Sequence, residues 1–84
     1  MKILHLIKRV NDLYAQAAIQ AQQGENQTSC VLIQDATLSV PELNVPVFAL
    51  KEDVQARGGS PNVPLIDFDQ LVGMLFEHDA VVCW

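Results

Sequence analysis

Residues 47–59 read Val-Phe-Ala-Leu-Lys-Glu-Asp-Val-Gln-Ala-Arg-Gly-Gly, and they limit the fold more than any other stretch. The apolar run from Val47 to Leu50 is a buried strand by pattern. It passes without turn residues into Lys51-Glu52-Asp53, whose acids suit the first turn of a helix. About two turns later comes Gly58, the residue type that most easily takes the left-handed conformation closing a helix. A strand feeding directly into a helix, with a second strand after it, is the repeating unit of a parallel sheet.

The flanking segments extend that unit. Residues 1–7 form a first strand, with Ile3, Leu4, Leu6 and Ile7 apolar and only His5 interrupting them. A run this continuous fits a parallel strand covered on both faces. Lys8, Arg9 and Val10 connect it to a helix capped by Asn11 or Asp12 and running to about residue 23. Tyr14, Ala17, Ala18 and Ala21 make a stripe at helical spacing there, mostly alanine, so this helix is expected to be weakly anchored. Gly24 ends it and residues 25–28 form a polar loop. Residues 29–34 are a second strand, and residues 37–43, with Pro41 inside, are a truncated connection.

Pro46 opens the third strand, where its missing N–H matters least. Residues 59–62 are a loop by composition. Residues 63–66 are a fourth strand and Asp67 caps the last helix. Phe68, Leu71, Val72, Leu75 and Phe76 give that helix a strong apolar stripe. Ala80 to Cys83 is a fifth strand, followed by Trp84. The fold expected is α/β: a three-layer α/β/α sandwich on a five-stranded, mainly parallel sheet, in a single domain spanning residues 1–84, with right-handed crossovers.

Half the residues are hydrophobic and 18% are charged, against about 25% charged in an average soluble domain. A chain of 84 residues cannot hide so much apolar surface, and some of it is expected to face a partner. The net charge is −5 and the five basic residues form no run. Direct nucleic-acid binding, which needs clustered positive charge, is not expected. No apolar run approaches the roughly 18 residues of a membrane helix, and residues 3–7 are too short for a signal peptide. A cytoplasmic location and reduced thiols are therefore expected.

Ligands of open parallel sheets bind beyond the carboxyl ends of the strands. Lys8, Arg9, Gln34, Asp35, Lys51, Glu52 and Asp67 fall on that edge, and a solvated rim with helix caps is preferred to a catalytic site. The connection after the first strand has no glycine, which argues against a dinucleotide or phosphate loop. No cofactor and no metal site is expected. Cys30 reads as a small buried hydrophobe. Cys83 is a weak catalytic candidate, because a reactive thiol needs an electropositive setting that Asp79 opposes. With parallel strands the two thiols are expected near opposite ends of the sheet, roughly 17–20 Å apart, beyond the ~7 Å limit for a disulfide. His5 reads as a buried, hydrogen-bonded histidine. Trp84 either packs back on the fold or docks on another subunit, and both readings stay open.

The motif Val-Phe-Ala-Leu-x-x-Asp53-x-x-Ala-Arg57-Gly58, then Pro64-Leu65-Ile66-Asp67-Phe68 with Leu71-Val72, and the closing Trp84 resemble the DsrH/TusB family of small sulfur-relay proteins. Leu4-His5 and Leu32-Ile33-Gln34-Asp35 fit as well. The resemblance implies a DsrE-like fold and a cytoplasmic hetero-oligomer with DsrE/TusD-like and DsrF/TusC-like subunits. It implies persulfide transfer, ending in 2-thiolation of the tRNA wobble uridine or serving sulfur oxidation, with the main carrier cysteine in the DsrE/TusD-like partner. Residues 11–23 contain no cysteine, so the carrier position some family members have in the first helix is not matched. Arg9-Val10 stands where Ser-Pro is common, and Asp35-Ala36 where Asp-Gly is usual. On this reading Asp53, Arg57, Gly58 and Asp67 are signature residues of shape and assembly, and the chain is a non-catalytic subunit. The alternatives are a small self-associating thiol sulfurtransferase using Cys83 or Cys30, and a self-associating module with no sulfur role.

Overall fold

The computed structural model describes residues 1–22 and 24–84. The elements are β1 (Lys2–Ile7), α1 (Leu13–Gln22), β2 (Gln27–Leu32), a short 3-10 helix η1 (Gln34–Leu38), β3 (Val47–Leu50), α2 (Lys51–Arg57), β4 (Leu65–Ile66), α3 (Phe68–Glu77) and β5 (Ala80–Cys83). The five strands make one sheet in the order β4-β3-β2-β1-β5, and every pairing is parallel. The α/β sandwich expected from the pattern is the observed fold.

The strand order explains the layers. Successive steps from β1 to β4 move in one direction, so right-handed crossovers place α1, η1 and α2 on the same face. The return from β4 to β5 runs the other way and puts α3 on the opposite face. Two cores result. Ile7, Ala15, Ile19, Cys30, Leu32, Ala36, Ala49 and Val54 fill the first. Leu4, Val31, Leu50, Ile66 and Leu71 fill the second. That second face has one helix to cover it, and Leu6, Ile33 and Phe48 are only partly buried there.

Several local expectations need correcting. Strand β2 begins at Gln27, inside the segment read as a polar loop, and ends before Ile33. Backbone pairing decides this: Lys2 lies opposite Gln27 and the ladder follows β1 to its end. Strand β4 is two residues, Leu65–Ile66, because Pro64 has no N–H to give and lends only its carbonyl, to the Ala49 N–H (3.0 Å). The expected end of the first helix at residue 23 lies outside the described residues.

The α1 stripe is the larger correction. Tyr14, Ala17 and Ala21 are exposed, and the buried residues are Ala15 and Ile19. Ile19 is the one large aliphatic residue in the middle of the helix. Burying it is worth about 1.5–3 kcal/mol, more than any alanine can offer, so it sets the rotation. On α3 only part of the stripe packs inward. Leu71 is buried and Leu75 partly so, while Phe68, Val72 and Phe76 face solvent.

Candidate functional site

The sheet order relocates the place where a ligand would be expected. Chain direction reverses at β1, which has β2 on one side and β5 on the other. The crevice at the carboxyl ends of β1 and β5 is therefore the topological switch point. Lys8 and Arg9 follow β1 there, and Cys83 and Trp84 lie at the end of β5. Asp53 and Arg57 sit away from it, on the crossover after β3, and Asp67 is beyond β4 at the far edge. The rim residues grouped by sequence are thus spread along the edge in strand order, with neighbouring groups in contact: the Ala36 N–H meets the Lys8 carbonyl (3.2 Å) and the Phe68 N–H meets Glu52 (3.4 Å).

In the middle group the side chains brace one another. The Asp53 carboxylate accepts the Gln34 N–H (2.7 Å) and lies 3.5 Å from an Arg57 guanidinium nitrogen. Arg57 Nε donates to Asp35 (2.9 Å). The brace ties α2 to the start of η1. Gln34 is held there at φ +50°, a left-handed conformation that non-glycine residues adopt at a cost. Gly58 takes φ +69° and closes α2 as expected. Asp67 forms a capping box with Gln70, accepting its N–H (2.8 Å) while the Gln70 side chain accepts the Asp67 N–H (2.9 Å). Glu52 accepts the Phe68 N–H (3.4 Å). These acids are engaged in holding loops and helix ends. The cavity beside Ile7, Asp12, Leu32 and Ala36 is about 10 Å³, room for one water.

His5 is fully buried. Its Nδ1 accepts a hydrogen bond from the Trp84 indole N–H (3.0 Å). Indole nitrogen is a donor only, so Nδ1 is unprotonated and the ring proton sits on Nε2. Nε2–H donates to Gln22 Oε1 (2.7 Å). Both ring nitrogens are occupied and the ring is neutral. Burial pushes its pKa below the usual 6.5, with the Gln22 hydrogen bond acting in the opposite sense. Trp84 thus packs back onto the fold, its ring nearly coplanar with that of His5 (17°) and its centroid 6.1 Å away. Trp84 makes the inward contact of the first reading and stays partly exposed.

Cys30 lies directly across from His5 in the β1–β2 register, a pairing the sequence alone could not reveal. It is not a cysteine–histidine couple. His5 has no free lone pair to accept a thiol proton, and burial pushes the Cys30 thiol up to about 12, so thiolate is absent at neutral pH. Cys83 is an exposed free thiol, opposite Leu6 on β5. The expectation that the two thiols lie at opposite ends of the sheet is wrong. Cys30 is level with His5 and Cys83 with Leu6, one residue apart along β1. A bridge is still excluded by geometry. Strand β1 separates them by about two strand spacings, roughly 9.6 Å, and adjacent residues of β1 point to opposite faces. Among the described residues, no group of three His, Cys, Asp or Glu side chains is placed to hold a metal ion, and no helix is long and apolar enough to cross a membrane.

The described residues thus form an α/β domain with a small parallel sheet between unequal helical layers. Residues 20–81 match the family described as DsrH like protein, and the chain belongs to that family of small sulfur-relay proteins. Among solved structures, the ychN protein from E. coli has the same fold, with a TM-score of 0.74 at 17% identity, covering 99% of this chain and 97% of that one. No curated protein matches the sequence.

Proposed function

We propose that the chain is a non-catalytic subunit of a sulfur-relay assembly. In this reading a cysteine of a DsrE/TusD-like partner carries the persulfide, a DsrF/TusC-like subunit completes the complex, and the pathway ends in 2-thiolation of the tRNA wobble uridine. The observation that carries it is the DsrH family match over residues 20–81. The site geometry supports it: Cys30 is shielded and poorly ionised, and the carboxyl-edge acids are bound to backbone and to Arg57. The net charge of −5 fits a subunit that leaves any tRNA contact to a partner. A cytoplasmic location belongs to the same reading.

Persulfide loading tests the proposal. A cysteine desulfurase supplies sulfane sulfur to the chain, alone and with a DsrE-type subunit, and intact-mass analysis locates the added sulfur. The expected result is label on the partner and none retained here. A second reading, a small thiol sulfurtransferase, is favoured by one observation: Cys83 is exposed and at the switch point of the sheet. Stable label on Cys83, lost in Cys83→Ser together with transfer, would establish that reading and end the first. Loss of wobble-uridine 2-thiolation on deletion of the gene separates tRNA modification from a DsrH-type role in sulfur oxidation.

A further inference from the structure

The two nitrogens of His5 respond differently to a proton. Nε2 already carries hydrogen, and Gln22 Oε1 can accept from it whether the ring is neutral or charged. Nδ1 is the site for an added proton. Once protonated it is a donor facing the Trp84 indole N–H, also a donor, and the 3.0 Å contact turns repulsive. No carboxylate sets the ring's environment, which burial and Gln22 determine. Cys30 faces the ring from β2 and Val82 from β5, and α1, β2 and β5 contain no acidic or basic residue. Their titratable groups are Tyr14, exposed two turns of α1 away from Gln22; Cys30, whose thiol is un-ionised at neutral pH; and Cys83, which by strand alternation points to the opposite face. A charged ring buried there without an acid must regain water. Strand β1 is flanked on both sides, so His5 itself is fixed. The side that can yield is the partly exposed Trp84, which follows the edge strand β5 and is tied by its backbone N–H to the Leu6 carbonyl (3.0 Å).

We propose that Trp84 is a proton-released latch: protonation of His5 at Nδ1 turns the Trp84 side chain and the end of β5 outward and opens the crevice at the carboxyl ends of β1 and β5, while the rest of the sheet stays folded. Gln22 keeps its hydrogen bond through the change, so the motion is confined to one side of the ring. The sign follows from linkage. The closed form binds the proton weakly, because burial holds His5 below its usual 6.5. The open form has its ring in water and titrates near 6.5. Opening therefore takes up one proton. Its equilibrium constant rises by up to about tenfold for each pH unit below 6.5, until the closed form titrates as well. At neutral pH the latch is shut. The inference does not rest on the sulfur-relay reading, which concerns the path of sulfur and not the closure of this crevice.

Hydrogen exchange of the full chain, followed by NMR and corrected for the intrinsic pH dependence of exchange, tests it. Trp84 is the one tryptophan, so its indole N–H is a unique probe. Between pH 7.5 and pH 5 the protection of that N–H and of the Trp84 amide should fall, by up to about tenfold per unit below 6.5, while the Val31 and Leu32 amides of β2 keep theirs. Gln22→Glu keeps an acceptor at Nε2 and adds a negative charge beside it, which favours the charged ring. Release in that variant should begin at higher pH than in wild type, a shift that loss of packing would not produce. Trp84 protection unchanged down to pH 5, protection lost at Trp84, Val31 and Leu32 in step, or release at the same pH in Gln22→Glu as in wild type would each overturn the proposal.

Discussion

His5 shows how much one buried side chain can depend on distant residues. Its neutral form is held by a donor from Trp84 and an acceptor from Gln22. Trp84→Phe keeps most of the packing but leaves Nδ1 without a donor, and should cost about 1–3 kcal/mol at pH 7.5, read from urea unfolding. The loss should depend on pH. The unfolded chain titrates His5 near 6.5 and the folded chain lower, so just below 6.5 the unfolded state binds more protons. Stability from this group is complete above that pH and falls as pH drops through the folded pKa. Protonated Nδ1 can no longer accept from the indole, so the gap between wild type and Trp84→Phe should narrow toward pH 5. A gap that stays constant or widens would mean that Trp84 acts through packing alone. That His5 is buried was legible from its apolar neighbours. Its partners were not, because 79 residues separate it from Trp84.

At the scale of elements, the segment that identifies the family also carries the clearest structural device. Asp53, Arg57 and Gly58 do little for α2 that a generic helix would lack. Gly58 closes α2, and the specific work of Asp53 and Arg57 is to hold the start of η1, where Gln34 is in the left-handed region. Asp53→Ala releases that N–H and should destabilise the fold by about 1–2 kcal/mol, since the acceptor is charged. Gln34→Gly removes the conformational cost and should stabilise by about 0.5–1 kcal/mol. Chemical denaturation of both variants checks the pair; a destabilised Gln34→Gly would show that the side chain, not the backbone, matters at that position. The cap at Asp67 and the stop at Gly58 were readable because capping needs only local sequence. The rotation of α1 was misread because a stripe of alanines has little area with which to compete, and Ile19, which decides the matter, stood outside it.

For the whole molecule, unequal coverage of the sheet is the main property. Strand β1 is flanked on both sides and pairs along its full length with β2, whereas β4 is a two-residue edge. Hydrogen exchange should therefore be slowest at the amides of β1 and β2 and fastest at β4. Equal protection of β4 and β1 would mean that the edge is covered in solution by another chain.

The sequence by itself determined the order of the five strands and three α-helices along the chain, the parallel α/β class, the cap at Asp67, the stop at Gly58 and the family, because hydrophobic period, capping chemistry and turn residues act over a few positions. Only the tertiary structure decided the strand order, the switch point between β1 and β5, the meeting of Cys30 with His5, and the faces of α1 and α3 that remain bare. Those depend on which strands lie side by side and which apolar side chains win burial, and burial is a competition settled across the whole chain.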